Sequence, residues 1–298
     1  MANTTFSGAV RSENNFQVVS KNTTSGLIQD RTTHGGLKDT RRYYLEEWFK
    51  QLPKLNAVNI IDPDADDASA LALHVSANKD FEVLGTNMTS ALSTRNSTAA
   101  GIVLTTAGAD QDQAIVCPHL DSNQTAWTGT LWGTENQVHW ECSLNTNAID
   151  NQKLWAGLKL TNDQLIATDA NQAFFKFQTD ATNSEAFDDY TLLHFVHSIG
   201  GTDYISALPI TVAANTNYHL KIEFDSDRKM SIFVNGQQYN ITSTSGSTGG
   251  TAVTTGTTKS AAMTDDIDLI PYIGIEAGAA AAEAVDVHYQ CISRLIFE

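Results

Sequence analysis

The chain has 298 residues, 41% of them hydrophobic, with three cysteines and a net charge of −16. That length and apolar share suffice for one large β domain with an appendage, or for two domains. The acidic balance repels phosphate backbones and excludes nucleic acid as an expected partner. No run reaches the ~20 apolar residues of a membrane helix, so no membrane partner is expected.

Thr, Ser, Asn, Ala and Gly are common and proline is scarce. Thr and Val favour strands, and Asn, Gly and Ser favour the turns between them, so an all-β chain is expected. The start "MANTTFSGAV" lacks a basic stretch ahead of an apolar one, so synthesis and folding in a cytoplasm are expected. Cys117, Cys142 and Cys291 are odd in number and match no zinc or redox spacing; they read as small buried hydrophobes.

Residues 1–38 are polar and turn-rich, with only short apolar pieces such as "FQVV" and "GLI". They show no sustained period and read as an extended arm that orders on a partner. The stretch "DTRRYYLEEWFKQLPKL" follows. Tyr44, Leu45, Trp48, Phe49 and Leu52 fall at helical spacing, Asp39 or Thr40 can cap the start, and Pro53 ends the run. This predicts one short amphipathic helix. Residues 1–55 hold eight basic and five acidic side chains, a net +3 that leaves −19 for the rest. A mildly basic leader on a strongly acidic body suggests docking of the leader on an acidic partner. The candidate docking residues are Arg11, Lys21, Arg31, Arg41, Arg42, Trp48 and Phe49.

Residues 56–110 form a connecting region with strand-like pieces, "AVNII", "ALALHV", "FEVLG" and "GIVLTT". From 111 to 298 strands recur steadily: "AIVCPH", "QVHWECSL", "KLWAGLKL", "AFFKFQT", "LLHFVHS", "YHLKIEFD", "SIFVNGQQYNI", "LIPYIGIEA" and "VDVHYQCISRLIFE". Strands at this density with Gly, Asn and Asp turns predict a two-sheet sandwich of jelly-roll type. In "YHLKIEFDSDRKMSIFVNGQQYNI", Tyr218, Leu220, Ile222 and Phe224 alternate with polar residues, Asp225 to Lys229 turn the chain, and Met230, Ile232 and Val234 resume the alternation before Asn235-Gly236. That pattern is a hairpin with one buried face, closed by a strong two-residue turn signal. Residues 243–260 are a low-complexity loop.

Three pieces carry a resemblance to the concanavalin A-like or laminin-G-like sandwich over roughly residues 100–298. They are this hairpin, "WGTENQVHWECSL" with "LWAGLKLTN", and the closing "LIPYIGIEA…VHYQCISRLIFE". The implied fold is a concanavalin A-like jelly roll carrying an extended N-terminal arm and one short helix. A second resemblance is to virion structural proteins of marine tailed phages. It rests on "TTFSGAVRSENNFQVVSKN", "DQAIVCPHLDSNQTAWTGTLWGTENQVHWECS", "ATDANQAFFKF" and "AMTDDIDLIPYIGIEA…SRLIFE". It implies a non-enzymatic part of a phage particle, without catalytic residues or a cofactor.

Other chemistry is weakly signalled. Glu223, Asp225 and Asp227 loosely match the acid-x-Asp-x-acid strand of some sandwich-fold glycoside hydrolases. However, Ser226-Asp227-Arg228 reads as a turn, and Lys221, Arg228 and Lys229 stand ready to neutralise the acids. "DPDADD" (62–67) has carboxylates at calcium-like spacing but puts Asp67 where an EF-hand needs Gly, and "TDDID" (264–268) is similar. His194 and His197 sit three apart on a strand and point to opposite faces, a poor metal pair. Trp127 and Trp132, in a Gly/Thr-rich stretch, are candidates for an exposed sugar platform.

The expected function is a head decoration (cement) protein that binds the major capsid protein on the outer shell. It would associate with itself, with a trimer at local three-fold positions as one form, and be assembled in the bacterial host's cytoplasm. The alternatives are a tail fibre or appendage subunit binding a host glycan, and a glycoside hydrolase-like enzyme on the same fold.

Overall fold

The computed structural model describes residues 19–21, 28–30, 41–55, 81–118, 132–161, 163–179, 185, 187, 189–246 and 256–296. The strands in the first half are β1 (Val19–Lys21), β2 (Ile28–Asp30), β3 (Arg42–Glu47), β4 (Lys54–Leu55), β5 (Glu82–Leu84), β6 (Ser93–Arg95), β7 (Ile102–Thr105), β8 (Gln113–Cys117) and β9 (His139–Thr146). Those in the second half are β10 (Gln152–Lys159), β11 (Gln172–Gln178), β12 (Leu192–Ile199), β13 (Thr202–Thr211), β14 (Thr216–Phe224), β15 (Met230–Val234), β16 (Gln237–Tyr239), β17 (Ile270–Ala277) and β18 (Ala284–Leu295). The helical content among the described residues is three single 3-10 turns, at Ser90–Leu92, Thr134–Asn136 and Ile166–Thr168.

The strands form two sheets. The ten-stranded sheet runs β1-β2-β16-β15-β14-β9-β18-β7-β6, with β3 also paired to β18. The eight-stranded sheet runs β13-β12-β11-β10-β17-β8-β5-β4. Pairing is antiparallel except between the short β4 and β5. The chain crosses from one sheet to the other, as between β17 and β18, in the manner of a jelly roll.

Alternation explains the layers. In β14 and β15 the residues Tyr218, Leu220, Ile222, Phe224, Ile232 and Val234 are buried in the core between the sheets, on the face the sequence assigned to them. Asn235 (φ 50°) and Gly236 (φ 76°) make the left-handed turn that joins β15 to β16. From the facing sheet Leu154, Ala156, Leu158, Phe175, Phe195 and Ile273 enter the same core. All three cysteines are buried free thiols.

Two elements differ from the sequence reading. The stretch expected as a helix is strand β3: residues 42–47 pair with 290–295 of β18, from Gln290↔Glu47 to Leu295↔Arg42. The physical reason is tertiary. The last half of β18 projects beyond β7 and leaves a row of main-chain groups that a helix could not satisfy. Phe49, at φ 50°, then breaks the strand, and its N–H is held by Glu47 Oε1 at 2.6 Å. The other difference is β13, unrecognised in "TDYISALPIT". Its Pro209 argues against a strand, yet β13 is the outermost member of its sheet, where a missing donor costs little.

Candidate functional site

The second face of the eight-stranded sheet is also buried. Opposite Leu154, Ala156 and Leu158, β10 presents Lys153, Trp155, Gly157 and Lys159, and β11 adds Phe174 and Lys176. Trp155, Phe174 and Tyr272 join Ile166 and Phe187, from the segments that follow β10 and β11, in a second apolar cluster. Gly274 lies beneath the indole of Trp155. A Cβ there would come within 2.3 Å of the ring, so only glycine allows the tryptophan to lie flat across β17.

Three lysines lie in this layer with side chains 0–1% exposed. Lys153 Nζ is 2.5 Å from Glu276 Oε1, whose other oxygen accepts Gln113 Nε2 at 2.6 Å. Lys159 Nζ is 3.1 Å from Asp169 Oδ2 and donates to Gln172 Oε1 at 2.5 Å. Lys176 Nζ donates to Gln164 O (2.9 Å), Gln164 Oε1 (2.7 Å) and Glu185. Burial disfavours an ammonium strongly, so each is matched by a carboxylate. Burial pushes the Lys159 ammonium below its usual range and Lys176 down to about 8, against the pull of Asp169 and Glu185 respectively. Asp169 and Glu185 belong to the segments that cross this face, so the ion pairs fasten residues 163–169 and Glu185 over the sheet.

A second feature lies where the leader meets the sandwich. Five large hydrophobics are exposed among the described residues, and three belong to this segment, Tyr43 (39%), Trp48 (38%) and Leu52 (37%), with Ile296 (49%) at the end of β18. Ile296 N–H bonds to Arg41 O at 2.9 Å, which brings the end of β18 to the start of β3. Arg41 and Lys50 of the same segment are exposed as well.

The candidate docking residues part company here. Arg41 and Trp48 are exposed, at opposite ends of β3. Arg42 is turned to its own domain, with Nε on Ser293 Oγ (3.1 Å) and Nη2 on Gln137 O (2.5 Å) and Ser293 O (3.1 Å). Phe49 is core, edge-on to Phe81 at 5.7 Å, so its ring is withdrawn from any partner. Lys21 lies in β1; Arg11 and Arg31 lie outside the described residues, as do "DPDADD" and Trp127.

Trp132, a candidate for exposure, is instead buried beside Tyr43. The hairpin carboxylates are occupied: Glu223 meets Lys221 at 2.6 Å, and Asp225 accepts Asp227 N–H and Lys229 N–H, each at 2.9 Å, and Lys259 Nζ at 2.5 Å. Asp227 sits in the turn, not on the strand. His194 stacks on Phe187 in the outer layer and His197 on Tyr204, on opposite faces of β12. In "TDDID", Asp265 faces Arg228 at 3.2 Å.

The buried lysines went unrecognised. In "KLWAGLKL" and "AFFKFQT" they occupy the positions that alternation assigns to solvent, and charged residues there look ordinary. The one available signal was that Trp155 and Phe174 share that face with them.

The sheet order, the antiparallel jelly-roll connections and the central core define a concanavalin A-like sandwich. No family model matches the chain, and no curated protein matches it. Among solved structures it is similar to a Shewanella oneidensis MR-1 protein of unknown function (7% identity, 85% of this chain and 87% of that one, TM-score 0.49). It is also similar to a Bacillus licheniformis β-glucanase (8% identity, 72% and 92%, TM-score 0.43) and to peanut lectin (11%, 86% and 99%, TM-score 0.43). At these identities the likeness concerns fold alone.

Proposed function

We propose that the chain is a non-enzymatic structural protein of a tailed-phage particle, a head decoration protein that binds the major capsid protein and stabilises the shell. The observation that carries this reading is the exposure of three large apolar side chains, Tyr43, Trp48 and Leu52, and two basic ones, Arg41 and Lys50, within one short segment of the chain. That segment is the end of the basic leader, next to a body of charge −19. The quoted similarity to virion proteins supplies the kind of particle, and repeated shallow contacts on a lattice add up by multivalency. A trimer at local three-fold positions suits such a lattice, with assembly in the bacterial host's cytoplasm.

Two further features support a binding role over cleavage. The outer face of the eight-stranded sheet is filled by the chain's own segments, and Glu223 and Asp225 are neutralised by lysines. The deciding experiment is protein stoichiometry in purified particles. Decoration predicts a copy number on the scale of the capsid subunit; a copy number on the scale of a tail part makes the chain a fibre or appendage subunit. Glycan cleavage that is lost in Glu223→Gln would instead establish an enzyme.

A further inference from the structure

Lys159 closes β10 and Gln172 opens β11, directly opposite one another, one step beyond the Leu158↔Ala173 pair. Both side chains are fully buried, as is Asp169. The lysine Nζ lies 2.5 Å from the carboxamide Oε1 and 3.1 Å from Asp169 Oδ2, with the Phe174 ring centroid 4.4 Å away. The carboxamide is held at its other end: Nε2 donates to Ile166 O at 2.6 Å and to Ser198 Oγ at 2.7 Å. Asp169 Oδ2 also accepts Leu160 N–H (3.3 Å) and Thr161 N–H (3.2 Å). An amine, a carboxamide and a carboxylate are thus fixed together in a dry site beside an aromatic ring.

We propose that Lys159 and Gln172 become joined by an amide bond between Nζ and Cδ, formed by the folded chain itself with loss of ammonia, Asp169 carrying the protons.

The step balances without a cofactor or oxidant. Asp169, in contact with Nζ, takes a proton from the ammonium, whose hold on that proton is weakened by burial. The freed lone pair on Nζ attacks Cδ, and the carbonyl π electrons move to Oε1. Asp169 then passes its proton to Nε2 and receives the one released by Nζ. The Cδ–Nε2 bond breaks, ammonia leaves, and Asp169 remains protonated. Holding the reactants in contact supplies the advantage that solution lacks, with effective molarities on the order of 10⁵ M or more in well-oriented cases. A desolvated lysine is the form of that side chain suited to nucleophilic attack.

The neighbouring lysines provide internal comparisons. Beside the Lys153–Glu276 pair, Gln113 directs its Nε2, not its carbonyl, to Glu276. Lys176 meets Gln164 Oε1, but its carboxylate partner Glu185 is 20% exposed and reached by water. The dry, fully assembled triad is the one at Lys159.

Mass spectrometry of the purified full-length chain tests this. The expected intact mass is lower than the encoded mass by one ammonia. After denaturation and trypsin digestion, the peptides containing 159 and 172 should be covalently joined, with no cleavage after Lys159. Lys159→Met, which keeps the volume, should restore the full encoded mass for its sequence and melt at a lower temperature. Asp169→Asn should leave the bond unformed. An encoded mass in the wild-type chain with ordinary cleavage after Lys159 overturns the proposal. So does an ammonia loss that maps elsewhere, for example to a succinimide at Asn235-Gly236. The wild-type measurement alone decides, whether or not the variants fold.

Discussion

Trp48 stacks on Tyr289 with ring centroids 4.6 Å apart and planes tilted by 41°. Tyr289 in turn donates to Glu141 at 3.1 Å, on the outer side of the ten-stranded sheet. The residues that follow β3 are therefore fastened to the sandwich while one side of the Trp48 ring remains at the surface. An aromatic pair of this kind contributes about 0.5–1.5 kcal/mol beyond its buried area. Tyr43→Ser combined with Trp48→Ala should cost no more than a few kcal/mol in a denaturant melt, so the chain should stay folded. The same variant should lose most of its co-sedimentation with particles. Full retention on particles would remove both residues from the docking surface.

Deleting residues 1–38 should leave a folded, acidic body that no longer binds particles. The leader strands meet the sandwich through one described pairing, Gln237↔Gln29, so the body loses little of its sheet. Circular dichroism and a particle-binding assay check both halves. Unchanged binding by the truncated chain rules out a docking arm.

The hairpin β14–β15 is wall. Phe224→Ala should cost ~3–5 kcal/mol, a large part of a domain's usual ~5–15 kcal/mol. His219→Ala, on the outward face, should stay within ~0.5 kcal/mol in the isolated protein. Chemical denaturation of the two variants separates these values, and similar midpoints for both would contradict the core role of Phe224.

The Lys153–Glu276 pair should behave as buried ions do. Lys153→Met strands Glu276 with Gln113 and should cost ~3–5 kcal/mol. Adding Glu276→Met should recover part of that loss, and only part, because Gln113 then lacks its acceptor. A double-mutant cycle measures the coupling. Additive losses would show that the two side chains do not act as a pair.

Stability should fall in mild acid through His197. Burial lowers its pKa from 6.5 to about 4, so between those values the unfolded chain binds a proton that the folded chain does not. Stability is unaffected by this group above about pH 6.5 and falls as pH drops, the loss reaching ~3 kcal/mol once pH is below about 4. His197→Phe should flatten that part of the profile, measured as unfolding free energy against pH. An unchanged slope would mean His197 is protonated in the folded state.

Local alternation made the hairpin legible. A period of two with Asn235-Gly236 at its end permits few conformations other than β14, β15 and β16 in this register. The turn at Asp225–Lys229 was equally clear, because Asp225 caps main-chain N–H groups within its own loop. The stretch around Trp48 misled for the opposite reason. Its apolar spacing suits a helix, but six cross-strand pairs with β18 outweigh that preference. Propensity differs by fractions of a kcal/mol per residue, whereas an unpaired buried main-chain group costs ~1–3 kcal/mol.

By itself the sequence determined the all-β class, most strand positions, the inward residues of β14 and β15, and the contrast between a basic leader and an acidic body. Tertiary structure alone decided which outward faces stay wet. Alternation specifies that Lys153, Lys159 and Lys176 leave the central core, but their fate depends on Asp169, Glu185 and Glu276, which arrive from other parts of the chain. The physical reason is that burial and charge pairing belong to the packed layer. A strand of β10 or β11 taken alone has two equivalent wet sides, and only the segments folded across one of them turn its lysines into buried amines.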